Sequence, residues 1–490
     1  MLLLAWSRTP SNRPLRMVPR IALVSVLMCA CTAAQEYDLV LSGGRVVDPA
    51  SGLDAIRNVA INGSRIAAVS TAPLKGRTVI DVSGNVVAPG FIDLHAHGQT
   101  PENYALRARD GVTTALELEI GAVDIPKWYA QRKGKALINY GVSSGHVPSC
   151  MRVMGDSGTF LPRDRAAQKR PTLDESRRIF ESVRNGLDDG GLGIGFGLAY
   201  VPEVTRKDVF DLFDLAASRG VPCFVHLRYQ GLAEPGVLAG LEEVIADAAA
   251  TGASLHVVHI TPAGRSLTPD ALKMIAGART RGLHVTTEFY PYEASMTNLE
   301  SAIFNPGWQE RMGAKYSDLV WVQTGERITA ESFDRLRQKG GPVIIHGIPE
   351  DMLRFAMASP LPMVASDGLI EQGKGHPRGA GTFARMLGLY AREEKVLPLM
   401  ECIRKMTIAP AQVLEEAVPS LKRKGRIAPG ADADIAVFDP SRVIDHATFE
   451  KPALPSTGFR LVLVNGVPVV RNDDLVGGGQ PGQPVRRTSR

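Results

Sequence analysis

The chain has 490 residues, of which 44% are hydrophobic and 22% are charged. This ordinary globular composition excludes a disordered, collagen-like or multi-span membrane protein, and the length allows about two or three domains. The formal net charge is +5, but Arg8, Arg13, Arg16 and Arg20 all precede the first acidic residue. The rest of the chain is therefore close to neutral, which argues against nucleic acid as a partner.

A secretory leader is predicted at the N-terminus. The apolar run IALVSVLMCA (21–30) follows Arg20 and precedes small residues that end at Ala34, the pattern of a signal peptide cleaved after Ala34. The run is too short to span a bilayer, which takes about 20 residues. Met17 is an alternative start, and Cys31 would permit a lipid anchor. We expect a secreted or periplasmic protein with no other contact with a membrane.

The cysteines predict neither a disulfide framework nor a thiolate metal site. Two of the five lie in the leader, which leaves Cys150, Cys223 and Cys402 far apart and without CxxC spacing. An odd number of isolated cysteines cannot form the paired pattern of a small disulfide-rich fold.

Two sequence patterns divide the chain into regions. Short β-branched runs separated by Gly, Asn and Asp fill 35–88 and return in 425–490, which predicts one small β-sandwich built from both termini. Between them, from 89 to 424, short apolar strands such as CFVH alternate with amphipathic segments such as EEVIADAAATG. About eight such units predict an α/β fold, a (β/α)8 barrel, interrupted by an insertion at about 296–338.

The stretch PGFIDLHAHGQ carries the strongest chemical signal. His95 and His97 stand two residues apart at the end of an apolar strand, so the period of a strand directs both rings to one side. Catalytic sites of βα barrels lie at the C-terminal ends of the strands. Two imidazoles there can share a metal ion.

Three later strands also end in residues that can bind a metal: CFVH at His226, LHVVH at His259 and PMVASD at Asp367. Each alone is better explained by packing, but their convergence on one barrel mouth predicts a site for zinc or a similar divalent ion.

The second barrel strand, GVTTALELEIGA, places Glu117 and Glu119 on one face. Burying two carboxylates is costly unless a cation or hydrogen-bond donors meet them. We predict that Glu119, nearer the C-terminal end, bridges metal ions, and that Glu117 accepts hydrogen bonds. His146 is a candidate for substrate contact, while His256 is interpreted as structural.

The chain resembles the D-aminoacylase (N-acyl-D-amino-acid deacylase) group of the amidohydrolase superfamily from Asp38 to Arg487. The resemblance rests on PGFIDLHAH, GVTTALELE, GHVPSCMRVMG, GFGLAYVP, HLRYQG, FYPYEAS, SDG, HPRGAGTF and IRKMTIAPAQVL in this order. It implies a distorted (β/α)8 barrel that carries a β-sandwich.

The resemblance also implies roles for individual residues. One metal position would be held by His95, His97 and Asp367, and the other by His226 and His259. Asp367 would be the general base. The side chains that would bind or orient the substrate follow the same motifs; they are Arg378, Tyr200, Arg228, Tyr290, Tyr292 and His146.

Three positions depart from the group. Glu119-Ile120 stands where a cysteine ligand is typical, Thr261 where a lysine follows the sixth-strand histidine, and Gln230 where an acidic residue is common. The first leaves open one or two metal ions, and the second leaves open how a substrate carboxylate is held.

We therefore expect an enzyme that hydrolyses the amide bond of a small N-acyl-D-amino acid with zinc-activated water. A metallo-dipeptidase or a cyclic-amide hydrolase with the same site is the alternative, and a non-catalytic barrel scaffold is a third possibility. The sequence leaves the acyl and side-chain preference, D against L selectivity and the oligomeric state open.

Overall fold

The computed structural model describes residues 36–477 and 479–487. The predicted signal peptide, 1–34, and Cys31 lie outside these residues. The described chain begins with five strands of an antiparallel and parallel sheet: β1 Tyr37–Asp48, β2 Leu53–Asn62, β3 Arg65–Ser70, β4 Gly76–Asp81 and β5 Val86–Pro89.

The long strand β1 organises this sheet, since it pairs with β2, β4 and β5. Its register with β2 shifts between Leu41 and Gly44, where Gly43 has a φ of 74°. Glycine adopts this left-handed conformation at little cost, and such a bulge bends the strand. The bend allows β1 to pair with β4 along its first half and with β5 along its second.

The chain then enters a barrel through seven parallel strands. They are β6 Phe91–Asp93, β7 Val112–Ala122, β8 Asn139–Gly145, β9 Ile194–Gly197, β10 Cys223–His226, β11 Leu255–Val257 and β12 Val285–Phe289. Nearly all of their residues are buried on both faces, which explains the apolar runs in the sequence.

An inserted subdomain separates β12 from the last barrel strand. It contains β13 Ala294–Asn298, β14 Leu319–Trp321, β15 Glu326–Arg327 and β16 Pro342–His346, and the barrel resumes at β17 Pro362–Val364. The sequence predicts the insertion at about 296–338, whereas its paired strands extend from 294 to 346 because Ala294 pairs with His346 at the base. It has its own aromatic core, in which Trp308 stacks on Phe333.

The barrel sheet runs in the order β17-β12-β11-β10-β9-β8-β7-β6. Its two edges meet beyond the strand ends, where Ala96 and Gly368 form a parallel bridge and the Asp367 amide donates to the His95 carbonyl at 2.7 Å. These contacts close the barrel at the same end as the predicted site.

The C-terminal part returns to the first sheet. After the short hairpin β18 Ile370–Glu371 and β19 Lys374–Gly375, the strands are β20 Ile435–Phe438, β21 Phe459–Val464, β22 Val467–Arg471 and β23 Asp474–Leu475. Strand β20 pairs with β5, which joins both halves into one nine-stranded sheet. The α/β fold is therefore a (β/α)8-type barrel with a sheet domain built from both termini.

Helices cover the outside of the barrel and contribute to the insertion. They are α1 Pro101–Arg109, α2 Ile125–Arg132, α3 His146–Met154, α4 Arg165–Gln168, α5 Leu173–Asp188, α6 Arg206–Arg219, α7 Gly236–Thr251, α8 Ile260–Gly264, α9 Thr268–Thr280, α10 Trp308–Met312, α11 Ala330–Lys339, α12 Glu350–Ala358, α13 Arg378–Arg385, α14 Leu399–Met406 and α15 Ile408–Leu414. Within the described ranges, none of the helices is long and apolar enough to cross a membrane.

Candidate metal centre

The HxH motif follows β6 directly, and Asp93 at the end of that strand shapes its backbone. The Asp93 carboxylate accepts hydrogen bonds from the His95 amide at 3.1 Å and from the Ser366 amide at 3.0 Å, so it ties the first barrel strand to the last. As a result the Nε2 atoms of His95 and His97 lie 3.1 Å apart. This separation suits two ligands that converge on one ion.

Glu119 lies between two pairs of histidines. Its Oε2 is 3.2 Å from His95 Nε2 and 3.3 Å from His97 Nε2. Its Oε1 is 2.7 Å from His226 Nδ1 and 3.2 Å from His259 Nε2. Each carboxylate oxygen therefore faces one histidine pair, which is the geometry of a ligand shared by two ions.

Asp367 completes the first pair. Its Oδ1 lies 3.4 Å from His95 Nε2 and 3.3 Å from His97 Nε2. Asp367 and His259 both have left-handed backbones, with φ of 50° and 32°. Residues other than glycine rarely adopt this conformation because it strains the backbone, and such strained residues are found most often at functional sites.

Two more carboxylates contact the outer nitrogens of the HxH motif. Glu117 Oε2 lies 2.8 Å from His97 Nδ1, which agrees with its predicted role as a hydrogen-bond acceptor. Glu288 Oε1 lies 2.6 Å from His95 Nδ1, and its other oxygen lies 3.0 Å from His256 Nε2. Such carboxylates orient a ligating imidazole and raise its basicity.

Glu288 was missed in the sequence, although the signal was present. It lies on β12, a buried barrel strand, and it is 1% exposed. The argument applied to Glu117 and Glu119, that a carboxylate inside a barrel needs a positive partner, applies equally to Glu288.

The cluster has an excess of negative charge that a cation would balance. Burial lowers the pKa of His95, but the charges of Asp367, Glu119 and Glu288 outweigh it and hold this pKa well above its ordinary value. Burial raises the pKa of Glu119, yet the nearby His95 charge and three histidine contacts bring it well below its ordinary value. These buried carboxylates require positive charge, and an imidazole and carboxylate donor set suits zinc.

The cluster forms part of the wall of a cavity of about 320 Å³, and four of the six predicted substrate residues line it: Arg378, Tyr200, Arg228 and Tyr290. Arg378 is 1% exposed, and its Nη2 lies 2.9 Å from Asp367 Oδ2. Among the described residues, its Nε and Nη1 have no hydrogen-bond partner. A buried guanidinium with unused donors can bind an anion.

Arg228 reaches the cavity but has protein partners. Its guanidinium makes three contacts with the Glu243 carboxylate at 2.9 to 3.1 Å and donates to the Pro202 and Val204 carbonyls. These bonds hold the loop after β9 against α7, so Arg228 supports the wall of the cavity.

The other two predicted substrate residues lie elsewhere, and for them the expectation needs correction. The Tyr292 amide donates to the Tyr290 carbonyl at 3.0 Å, a tight turn that directs Tyr292 away from the cavity and towards Arg385. His146 begins α3, where its Nε2 lies 3.4 Å from Cys150 Sγ and its ring packs on Phe196.

The chain has extensive similarity to characterised deacylases. The model of the amidohydrolase family matches residues 334–470. The N-acyl-D-glutamate deacylase of Alcaligenes xylosoxydans xylosoxydans is 32% identical, over 89% of this chain and 94% of the relative. The chain belongs to the D-aminoacylase group of the amidohydrolase superfamily.

Two further members of the group support the assignment. The D-aminoacylase of the same organism is 28% identical, over 93% of this chain and 99% of the relative. The crystal structure of the Bordetella bronchiseptica N-acyl-D-glutamate deacylase, complexed with zinc and a phosphonate inhibitor, superposes with a TM-score of 0.79. It is 27% identical and covers 92% of this chain and 100% of its own. This confirms the predicted family and fold.

We expect Glu119→Gln to disrupt metal binding, because the amide loses the charge and one of the two ligating oxygens. The metal content, measured by elemental analysis after dialysis, should fall from about two ions per chain to fewer than one. The matched control is Glu117→Gln, the same change on the same strand, which should weaken metal affinity by about 10- to 100-fold but retain metal when it is in excess. Wild-type metal content and affinity in Glu119→Gln would contradict the bridging role.

His146 predicts a pH dependence of stability away from the metal centre. Burial, assisted by the Arg228 charge, lowers its pKa from 6.5 to about 4. Below pH 6.5 the unfolded chain therefore takes up a proton that the folded chain does not. As a result, the free energy of unfolding is highest above pH 6.5 and falls as the pH drops towards 4. Relative to pH 8, the loss at pH 5 should be about 2 kcal/mol.

Urea unfolding from pH 8 to 5 checks this expectation. His146→Gln should show a smaller decline in its free energy of unfolding than the wild type, whatever its stability at pH 8. His284→Gln removes an exposed histidine and should keep the wild-type decline. Equal declines in all three proteins would refute the assignment.

Proposed function

We propose that the chain is a zinc-dependent amidohydrolase that cleaves the amide bond of N-acyl-D-amino acids. The observation that carries the proposal is the placement of Glu119, whose two oxygens each face a histidine pair beside Asp367 and Arg378. The relatives to which the chain is similar include an N-acyl-D-glutamate deacylase, a D-aminoacylase and an N-acyl-D-aspartate deacylase.

The proposed zinc ligands follow from the donor geometry. His95, His97 and Asp367 would hold one ion, His226 and His259 the second, and Glu119 would be shared. When bound, zinc supplies Lewis acidity that lowers the pKa of water and polarises the scissile carbonyl.

Asp367 is the proposed general base. Burial raises the pKa of its carboxyl, but the charges of Arg378 and His95 outweigh this and lower it, so the group is ionised at neutral pH. An ionised Asp367 can take a proton from the attacking water and deliver it to the nitrogen of the leaving amine. Its left-handed backbone and the hydrogen bond that its backbone N–H donates to the His95 carbonyl fix its position for this transfer.

The substrate's α-carboxylate is assigned to Arg378. Its Nε and Nη1 have no hydrogen-bond partner among the described residues, and Tyr290 lies under the guanidinium with the ring centroid 4.3 Å from Cζ. Tyr200 contributes a hydroxyl that accepts from Thr297 at 3.2 Å. With the carboxylate held by Arg378 and the scissile amide beside Asp367, one enantiomer would direct its side chain into the open cavity and the other into the wall.

A panel of substrates tests this function. The zinc-loaded protein is assayed for amine release from N-acetyl-D-amino acids, their L enantiomers, dipeptides and hydantoins. We expect turnover of the D compounds alone. Turnover confined to dipeptides would favour the metallo-dipeptidase, and turnover confined to hydantoins the cyclic-amide hydrolase.

Asp367→Asn serves as the catalytic control in this panel. It should lower kcat by about 10²- to 10⁴-fold, because the amide cannot accept the proton. Bound zinc should persist, since His95, His97 and Glu119 remain. Near wild-type turnover in this variant would remove the assignment of the base.

We also propose that the protein is exported, on the basis of the apolar run 21–30 alone. Mass spectrometry of the protein from the periplasm of a Gram-negative host should find Gln35 as the first residue. A lipid-modified Cys31 would indicate anchoring instead, and an intact leader on cytosolic protein would contradict export.

A further inference from the structure

Arg265 is a second guanidinium of the cavity that the proposed mechanism does not use. It follows α8 in the loop after β11, lines the same cavity as the metal cluster and is 8% exposed. Its backbone is left-handed, with a φ of 48°, and the Thr268 hydroxyl donates to its carbonyl at 2.7 Å. Within this cavity it shares the strained conformation with His259 and Asp367.

Arg265 has no close counter-ion among the described residues, although the more distant charge of Asp318 partly offsets the lowering of its pKa by burial. Its Nη1 donates to the Gly347 carbonyl at 2.8 Å, and no carboxylate of the described residues lies within 4.0 Å of its guanidinium. Its Nε and Nη2 make no hydrogen bond with the described residues, and neither atom is fully buried, so both remain accessible to a ligand. A charge that is largely buried without a counter-ion is costly, and an anionic ligand would offset that cost.

The other three arginines that line the cavity have more protein partners than Arg265. Arg228 is paired with Glu243, and Arg378 with Asp367. Arg311, from the insertion, is half-buried and directs its guanidinium to three backbone carbonyls. Among these four residues, Arg265 combines deep burial with the fewest protein partners.

Arg265 also lies near the proposed carboxylate site. Tyr290, whose ring contacts the Arg378 guanidinium, is buried without a well-formed hydrogen bond to any described residue. Burial raises the pKa of Tyr290, while the charges of both Arg378 and Arg265 act to lower it. Tyr290 therefore lies within the electrostatic reach of both guanidinium groups.

We propose that Arg265 is a specificity-determining residue that binds the α-carboxylate of the substrate together with Arg378. The two guanidinium groups and the Tyr290 hydroxyl form a clamp that selects substrates with a free carboxylate next to the scissile amide. This inference rests on the proposed function, because it assigns a residue to the same substrate.

A thermodynamic cycle between Arg265 and the carboxylate tests the proposal. N-acetyl-D-leucine and its neutral amide, N-acetyl-D-leucinamide, are compared as substrates of the wild type and of Arg265→Gln. The variant should lower kcat/KM for the acid by about 10- to 100-fold, and for the amide by less than about threefold. Arg265→Lys retains the charge and should lie between the two proteins.

If the amide is turned over too slowly to measure, inhibition replaces it. The inhibition constants of D-leucine and D-leucinamide, measured against the best substrate of the panel, should show the same differential loss in Arg265→Gln.

The control is Arg279→Gln, which removes an exposed arginine that likewise donates to one backbone carbonyl, that of Val285 at 2.7 Å. It should leave both substrates unchanged, and zinc content should be equal in all proteins. An equal fall for acid and amide in Arg265→Gln would show that Arg265 only holds the Gly347 loop, and would overturn the inference. Absence of turnover of any N-acyl-D-amino acid by the wild type would instead refute the proposed function.

Discussion

The concentration of buried negative charge around Glu119 is the constraint on which the rest of this structure depends. Glu117, Glu119, Glu288 and Asp367 are all less than 9% exposed and contact one group of histidines. In a medium of low polarity such an arrangement is unstable by several kcal/mol unless positive charge compensates it. Divalent ions would provide that charge, so side chains that are costly to bury without a cation would create the affinity for metal.

The barrel scaffold supports this charge by fixing the backbone around it. Asp93 joins the first strand to the last, and the Arg107 guanidinium donates to the carbonyls of His97 and Gly368 at 2.5 and 2.7 Å. The closure of the barrel and the position of the ligands are therefore one network of hydrogen bonds. The left-handed conformation of Asp367 is retained because its neighbours on both sides of the closure leave it no alternative.

Much of this architecture follows from local patterns in the sequence. The barrel and the sheet domain were predicted from the apolar strands, from their alternation with helices and from the two β-rich ends. This works because a strand that is buried on both faces is apolar along its whole length. The clustering of the candidate metal ligands was predictable for a similar reason: His226 ends its strand, His95, His97, His259 and Asp367 follow theirs closely, and strand ends in a closed barrel must converge. What the pattern could not supply was the register of the sheet domain, which forms one nine-stranded sheet through β20 and β5.

The substrate residues were harder to predict, because the role of a polar side chain depends on partners distant in the chain. Arg228 follows β10 by two residues and Arg265 comes after α8 in the loop beyond β11. Both line the cavity, yet Glu243 on α7 pairs with the first and only a backbone carbonyl meets the second. No spacing in the sequence distinguishes them. The resemblance led to an expected lysine at position 261, where the structure has a buried threonine, so the missing cation has to be sought in the fold, and Arg265 is placed to supply it. Arg265 is thus distinguished from Arg228 by its partners in the fold.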